Sequence, residues 1–413
     1  MSSPPAPPRR RLLVLGALGA LALLLVALLG ARALRGESPA APTADGTPPA
    51  AGAPAAPSAL ATPSASADPC PVSDLLVNPC RAWLGVAAGG YPQAEDDQAS
   101  QLAYAERRLS GPAALNEPSR RTEPSTLTEP TAAAAPGQAF DVVRLYHVPG
   151  QVTFSETERS YVERPGTLAF VSWKPDPVWA RAAGGTPAVD ARIDAFAASV
   201  KGLGPHKIFL SLHHEPENDV SKGNCARPAP GAAAGSPADY VAMWHHVRER
   251  FDAAGVSNVV WAMNYMGYQP WDCLVPALWP GNDHVDWVTW DPYAPAGDFV
   301  ASVSRFYDRL EATSDAEHDY ASKPWGLAEM GSNTSATVAA GYWDAGRAAV
   351  QSDRFPRMKL WSVFDTSVNG GDNGGLRVGY DDQGELAPRE QEAFSAFAEA
   401  VRTPAAAPAS GSG

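Results

Sequence analysis

Eight short apolar runs, at residues 83–88, 140–146, 168–173, 207–213, 258–263, 285–291, 325–330 and 358–364, constrain this chain more than any other feature. Each is bounded by Gly, Pro or Asn and followed by a segment able to form a helix, which is the βα repetition of a parallel sheet. The runs are nearly continuous in hydrophobicity. Strands of an antiparallel sandwich would alternate, whereas parallel strands covered on both faces need apolar side chains on both. Eight of them predict an α/β fold of the (β/α)₈ barrel type. The best-specified helix is predicted over 237–254, opened by Ser236 with Asp239 three residues on and closed by Gly255. Its stripe of Tyr240, Val241, Trp244, Val247 and Phe251 would pack outside the barrel. Further helices are expected over 188–201, 299–312, 336–351 and 388–402, and residues 110–138 read as a long excursion between the first two strands.

The chain ends cannot pack. Residues 37–67 and 403–413 are almost wholly Ala, Pro, Ser, Thr and Gly, too poor in apolar surface to offset their ordering entropy. That leaves 68–402 for the barrel. Arg9, Arg10 and Arg11 precede residues 12–31, which carry no charge, so residues 1–36 read as an export signal. Twenty residues suffice to cross a hydrocarbon core of about 30 Å, and the arginines favour a cytoplasmic N-terminus. An uncleaved anchor with a Pro/Ala spacer is favoured over cleavage at Ala31-Arg32-Ala33, so the expected location is extracytoplasmic, membrane-anchored or secreted. Four cysteines fit that side of the membrane, with Cys70 paired to Cys80 and Cys225 to Cys273; their spacing matches neither a zinc ribbon nor a CxxC motif. A net charge of −13 argues against nucleic acid as a partner. A monomer acting on a neutral ligand is expected, without metal or cofactor.

Two carboxylates stand where a barrel keeps its chemistry. Glu215 follows the fourth run, after His213-His214 and before Pro216, and Glu329 lies at the end of the seventh. They are 329 − 215 = 114 residues apart, which is about the three βα units that separate strands four and seven. Glycoside hydrolysis needs such a pair, one to protonate the leaving oxygen and one across the anomeric carbon. Tyr293 could donate a hydrogen bond that orients Glu329. Asn116-Glu117-Pro118 has no apolar strand before it and reads as a loop, and residues 369–385, rich in Asp and Gly, lack the ordered spacing of a calcium loop and read as a wall of the cleft.

Over about residues 80–400 the chain resembles glycoside hydrolase family 26, through His214-Glu215, Asp291-Pro292-Tyr293 and Glu329-Met330-Gly331. The resemblance implies a retaining endo-acting β-mannanase, with Glu215 as acid/base, Glu329 as nucleophile and an oligo- or polysaccharide as substrate. It also implies His147, Trp173 and Trp361 around the reactive sugar, with His214, Asp291 and Tyr293 in support. The segment Glu217-Asn218-Asp219-Val220-Ser221-Lys222 lacks the tryptophan usual after that family's acid/base. Xylan, mixed-linkage glucan or an exopolysaccharide are alternative substrates, and a membrane-tethered carbohydrate-binding barrel without turnover is the non-enzymatic reading.

Overall fold

The computed structural model describes residues 70–89, 97–109, 139–220, 234–294, 297–332, 335–352, 354–366 and 387–403. Eight parallel strands close into a barrel in chain order: β1 (Trp83–Gly89), β2 (Val142–His147), β3 (Leu168–Trp173), β4 (Ile208–Leu212), β5 (Val259–Tyr265), β6 (Trp287–Trp290), β7 (Trp325–Leu327) and β8 (Met358–Thr366). The (β/α)₈ expectation therefore holds strand for strand. The sheet closes through β1 and β8, which pair over the whole length of β1 from Trp83↔Leu360 to Gly89↔Thr366. The chain divides into residues 1–71 and 72–413, and the barrel lies wholly in the second part.

Side chains alternate between two cores because successive Cβ atoms of a strand point to opposite faces. The lumen is filled by Leu76, Trp83, Val142, Phe170, Phe209, Val260, Ala262, Trp287, Ala328 and Leu360. The larger outer core joins strands to helices and holds Leu145, Trp173, Val247 and Phe397. Space inside the lumen is short: a Cβ on Gly85 would sit 2.8 Å from Ser362 Oγ. Leu76 closes the floor, its segment held by Trp83 Nε1 donating to Leu76 O and Trp287 Nε1 donating to Leu75 O, both at 2.6 Å.

Helix Pro237–Ala253 begins with the capping box expected of Ser236 and Asp239, and it buries Tyr240, Met243, Trp244, Val247 and Phe251. Pro187–Lys201, Phe299–Thr313, Ala336–Gln351 and Pro388–Arg402 follow their predicted spans within a residue. Four helices go beyond those expected: the one-turn Trp179–Ala182 and Leu274–Ala277, and the longer Gln98–Arg108 and Glu156–Glu163, the last opened by a capping box of Ser155 and Glu158. Cys70, Cys80 and Cys273 are disulfide-bonded. Cys225, the excursion at 110–138, the Asn-Glu-Pro motif, residues 369–385, the apolar segment 12–31 and both tails lie outside the described residues. Among the described residues no helix is long and apolar enough to cross a membrane.

Candidate active site

The lumen turns polar toward the C-terminal ends of the strands, where barrel enzymes keep their active sites. On β2 the inward side chains are Val142 in the apolar floor, then Arg144, then Tyr146 near the mouth. Arg144 is a fully buried guanidinium, 4.2 Å above the Phe170 ring, and Nη2 donates to Asn264 Oδ1 at 2.7 Å. Asn264 passes the contact on, Nδ2 donating to Asp291 Oδ2 at 2.9 Å.

Glu329 lies just beyond β7 and is 5% exposed. Both its oxygens are engaged: Tyr146 Oη donates to Oε1 at 2.7 Å and Tyr293 Oη to Oε2 at 2.6 Å, while Arg144 Nη2 stands 3.6 Å from Oε1. Tyr293 is placed by a bridge to Gly331, with Ala294 N–H donating to Gly331 O at 3.0 Å, so the loops after β6 and β7 are tied together. The hydroxyls of Tyr146 and Tyr293 are held well above the ordinary phenol range by burial and by the Glu329 charge, which keeps them as donors. Burial works against the Arg144 cation, but Tyr146, Glu329 and Asp291 hold its pKa above the usual value.

The chain leaving β4 bends sharply. His213 and Glu215 take left-handed backbone conformations, φ 48° and 53°, unfavourable for side chains with a Cβ and characteristic of residues held for function. The bend sends the two side chains apart. His213 faces outward, with Nε2 3.0 Å from Asp176 O and the ring edge-on to Trp179, whereas Glu215 turns to the mouth. The Glu215 N–H donates to Asn264 O at 2.9 Å, and Asn218 Nδ2 donates to Glu215 Oε2 at 2.8 Å. His214 stands beside Tyr146, ring centroids 5.3 Å apart, and burial with the nearby Arg144 and Lys174 charges keeps it neutral, well below the usual histidine range.

Carboxylate oxygens of Glu215, Asp291 and Glu329 lie within 4.8 Å of one another. Three acids this close cannot all ionise cheaply. Burial, then the charges of Glu329 and Glu217, push Glu215 well above the usual carboxylate range against the opposing pull of Arg144 and Lys174. Asp291 is pushed up in the same way by burial, Glu329 and Glu215. Among the described residues this is the one acidic group whose spacing could bracket a cation, although the two phenols already engage both oxygens of Glu329. The site is thus a carboxylate in a cradle of fixed donors facing a carboxyl group biased to keep its proton.

Three expected site residues are elsewhere. His147 lies in the outer core, its Nε2 3.0 Å from Glu158 Oε1 and its ring against Phe154 and Phe196. Trp173 is fully buried against Phe196 at 4.2 Å. Trp361 packs on Phe299 and Phe355. His147 and Trp173 end their strands as expected and Trp361 lies mid-strand in β8, and all three are on the outward phase of the pleat, so none can form a sugar platform. The inward aromatic on β2 at the mouth is Tyr146, 37% exposed, one residue before His147. Sequence reasoning passed over Tyr146, Arg144, Asn264, Asn218 and Glu217. A charge inside the apolar run 140–146 was a usable signal for Arg144.

The fold and site together define an α/β barrel with converging carboxyl groups at the C-terminal mouth. No family model matches the chain, and neither does any curated protein. Solved structures with a similar course of the chain include a β-mannanase from a symbiotic protist of the termite Reticulitermes speratus, complexed with gluco-manno-oligosaccharide, at 11% identity, 78% of this chain and 88% of that one, TM-score 0.48. A ruminal GH26 endo-β-1,4-mannanase is 12% identical over 78% of this chain and 63% of its own, TM-score 0.49. A GH26 β-mannanase from Bacteroides ovatus is 15% identical over 79% and 89%, TM-score 0.47. The likeness is one of chain course; the barrel rests on its own strand pairing.

Proposed function

We propose that this chain is a retaining glycoside hydrolase that cleaves a β-linked polysaccharide internally, with Glu329 as nucleophile and Glu215 as general acid/base. The observation that carries this reading is the convergence of Glu215 and Glu329, with oxygens within 4.8 Å. Retaining enzymes hold their carboxyl groups about 5–5.5 Å apart, while inverting ones need about 6.5–9.5 Å to admit a water. The asymmetry of the pair supports the roles. Two hydroxyls and a guanidinium fix the orientation of the Glu329 carboxylate, and burial beside other acids favours a proton on Glu215.

A Glu329 oxygen forms a bond to the anomeric carbon as the bond to the leaving oxygen breaks and that oxygen takes the Glu215 proton. Water then attacks the same carbon, gives a proton to Glu215 and releases Glu329, so configuration is retained. With no tryptophan platform at the strand ends, Tyr146, His214, Asp291 and Tyr293 are the polar groups that would meet the reactive sugar. β-1,4-Mannan, the substrate class the sequence resemblance implies, is the first polysaccharide to assay. Glu329→Ala should abolish turnover of an activated aryl glycoside, and azide should restore it with a product of inverted configuration, read by proton NMR. Wild-type turnover in that variant would end the proposal.

A further inference from the structure

Glu217 is buried, 1% exposed, on the 3₁₀ turn Pro216–Asp219 that follows Glu215. Its partners are backbone donors: Met266 N–H reaches both oxygens at 3.0 Å, and Gly267 N–H reaches Oε1 at 3.3 Å. Consecutive N–H groups can converge on one carboxylate because Gly267 is left-handed, φ 68°, at a spot where a Cβ would press on Trp290 at 3.3 Å and Phe306 at 3.4 Å. The acid/base loop is therefore stitched to the end of β5 twice, through the Glu215 N–H on Asn264 O and through Glu217 on Met266 and Gly267. A buried carboxylate is a costly way to hold a loop unless its charge or its geometry is used.

We propose that Glu217 is a positioning residue for the acid/base group, clamping the loop that carries Glu215 to the end of β5 so that the Glu215 carboxyl is held toward Glu329. This rests on the hydrolase reading above. The clamp also places a second acid on the loop of the first; burial pushes Glu217 itself up to about 7, and once ionised above that pH its charge adds to burial and Glu329 in holding the proton on Glu215. The other charged groups acting on Glu215 are Arg144 from β2 and Lys174 after β3, both pulling the opposite way, and Asp291 after β6 is raised in part by Glu215 itself. Glu217 is in turn acted on by Asp272, and it influences the phenols of Tyr240 and Tyr265.

The test is Glu217→Gln in the full chain, assayed on aryl glycosides of graded leaving-group pKa. Loss of the neighbouring charge should move the alkaline limb of kcat/KM to lower pH. Rates with a phenyl leaving group should fall at least about tenfold more than with 2,4-dinitrophenyl, whose departure needs no proton, within the about 10²–10⁴ that general acid catalysis supplies. Glu217→Asp, which keeps the charge on a shorter arm, should leave the limb in place and still steepen the leaving-group dependence; it decides the matter where Glu217→Gln does not fold. An unchanged limb with unchanged leaving-group dependence overturns the proposal. A ¹³C NMR titration of Glu215 separates the two readings without a substrate. A midpoint that drops in Glu217→Gln upholds the coupling even if the wild type cleaves no glycoside, which would overturn the hydrolase reading alone, and an unmoved midpoint overturns the coupling of the two acids.

Discussion

The two phenols on Glu329 offer the sharpest quantitative test of the site. Tyr293→Phe removes one O–H donor from a charged acceptor at 2.6 Å and changes nothing else in size. A hydrogen bond to a charged group contributes about 1.5–3 kcal/mol, which at about 1.4 kcal/mol per decade is a loss of roughly 10-fold to 150-fold in kcat/KM. Tyr146→Phe removes the donor on the other oxygen and should cost a similar factor. The two are coupled through a single carboxylate. With both gone, only Arg144 at 3.6 Å remains to hold Glu329, so the double variant should lose more than the product of the single losses. The assay is kcat/KM for an activated aryl glycoside in the wild type, both single variants and the double variant, with melting temperatures to confirm that all four fold. Single losses below about threefold, or strict additivity, would mean that these hydroxyls do not orient a nucleophile, because the bonds removed are the shortest ones it makes.

Trp173→Ala should lower stability by about 3–5 kcal/mol, as for a large aromatic removed from a closed core, and leave KM unchanged; a raised KM with unaltered melting would return Trp173 to the pocket. Arg144→Met strips the buried cation from Glu329 and Asp291 and should destabilise the fold by about 3–5 kcal/mol as well as impair turnover, so wild-type melting would contradict the network. Glu217 is raised from 4.5 to about 7, so the unfolded chain ionises it first: its stabilising contribution is complete below pH 4.5 and is lost as pH rises toward 7. The loss is on the order of 3 kcal/mol, read as the part of the pH slope in urea unfolding that disappears in Glu217→Gln; identical slopes would refute it.

Much of this molecule is legible before folding because parallel strands buried on both faces write long apolar runs. The runs at 207–213 and 325–330 led directly to Glu215 and Glu329, since a barrel exposes its chemistry at the ends of such runs. Helix Pro237–Ala253 was equally clear, its ends set by local capping chemistry. Other features resisted. Trp325–Leu327 is half the length of its predicted run, and its register against β8 slips beside Gly326, where Leu360 leaves no space for a Cβ. Gln98–Arg108 passed unseen because charged side chains such as Glu106 and Arg108 are buried in it, which blurs its apolar face.

The order of the strands, the closure of the barrel and the presence of an acid at the ends of β4 and β7 follow from hydrophobic pattern and spacing alone. Which face each strand-end residue takes does not. His147 and Tyr146 are neighbours in the chain, yet one packs against Phe154 and the other donates to Glu329, and the pleat phase that separates them is set by contacts with β3 and the lumen floor. The left-handed turn at Glu215, its stitching to β5 through Glu217 and the seating of Arg144 beneath Glu329 join residues far apart in sequence. Their energies come from burial and mutual charge, quantities that exist only once the barrel has closed around them.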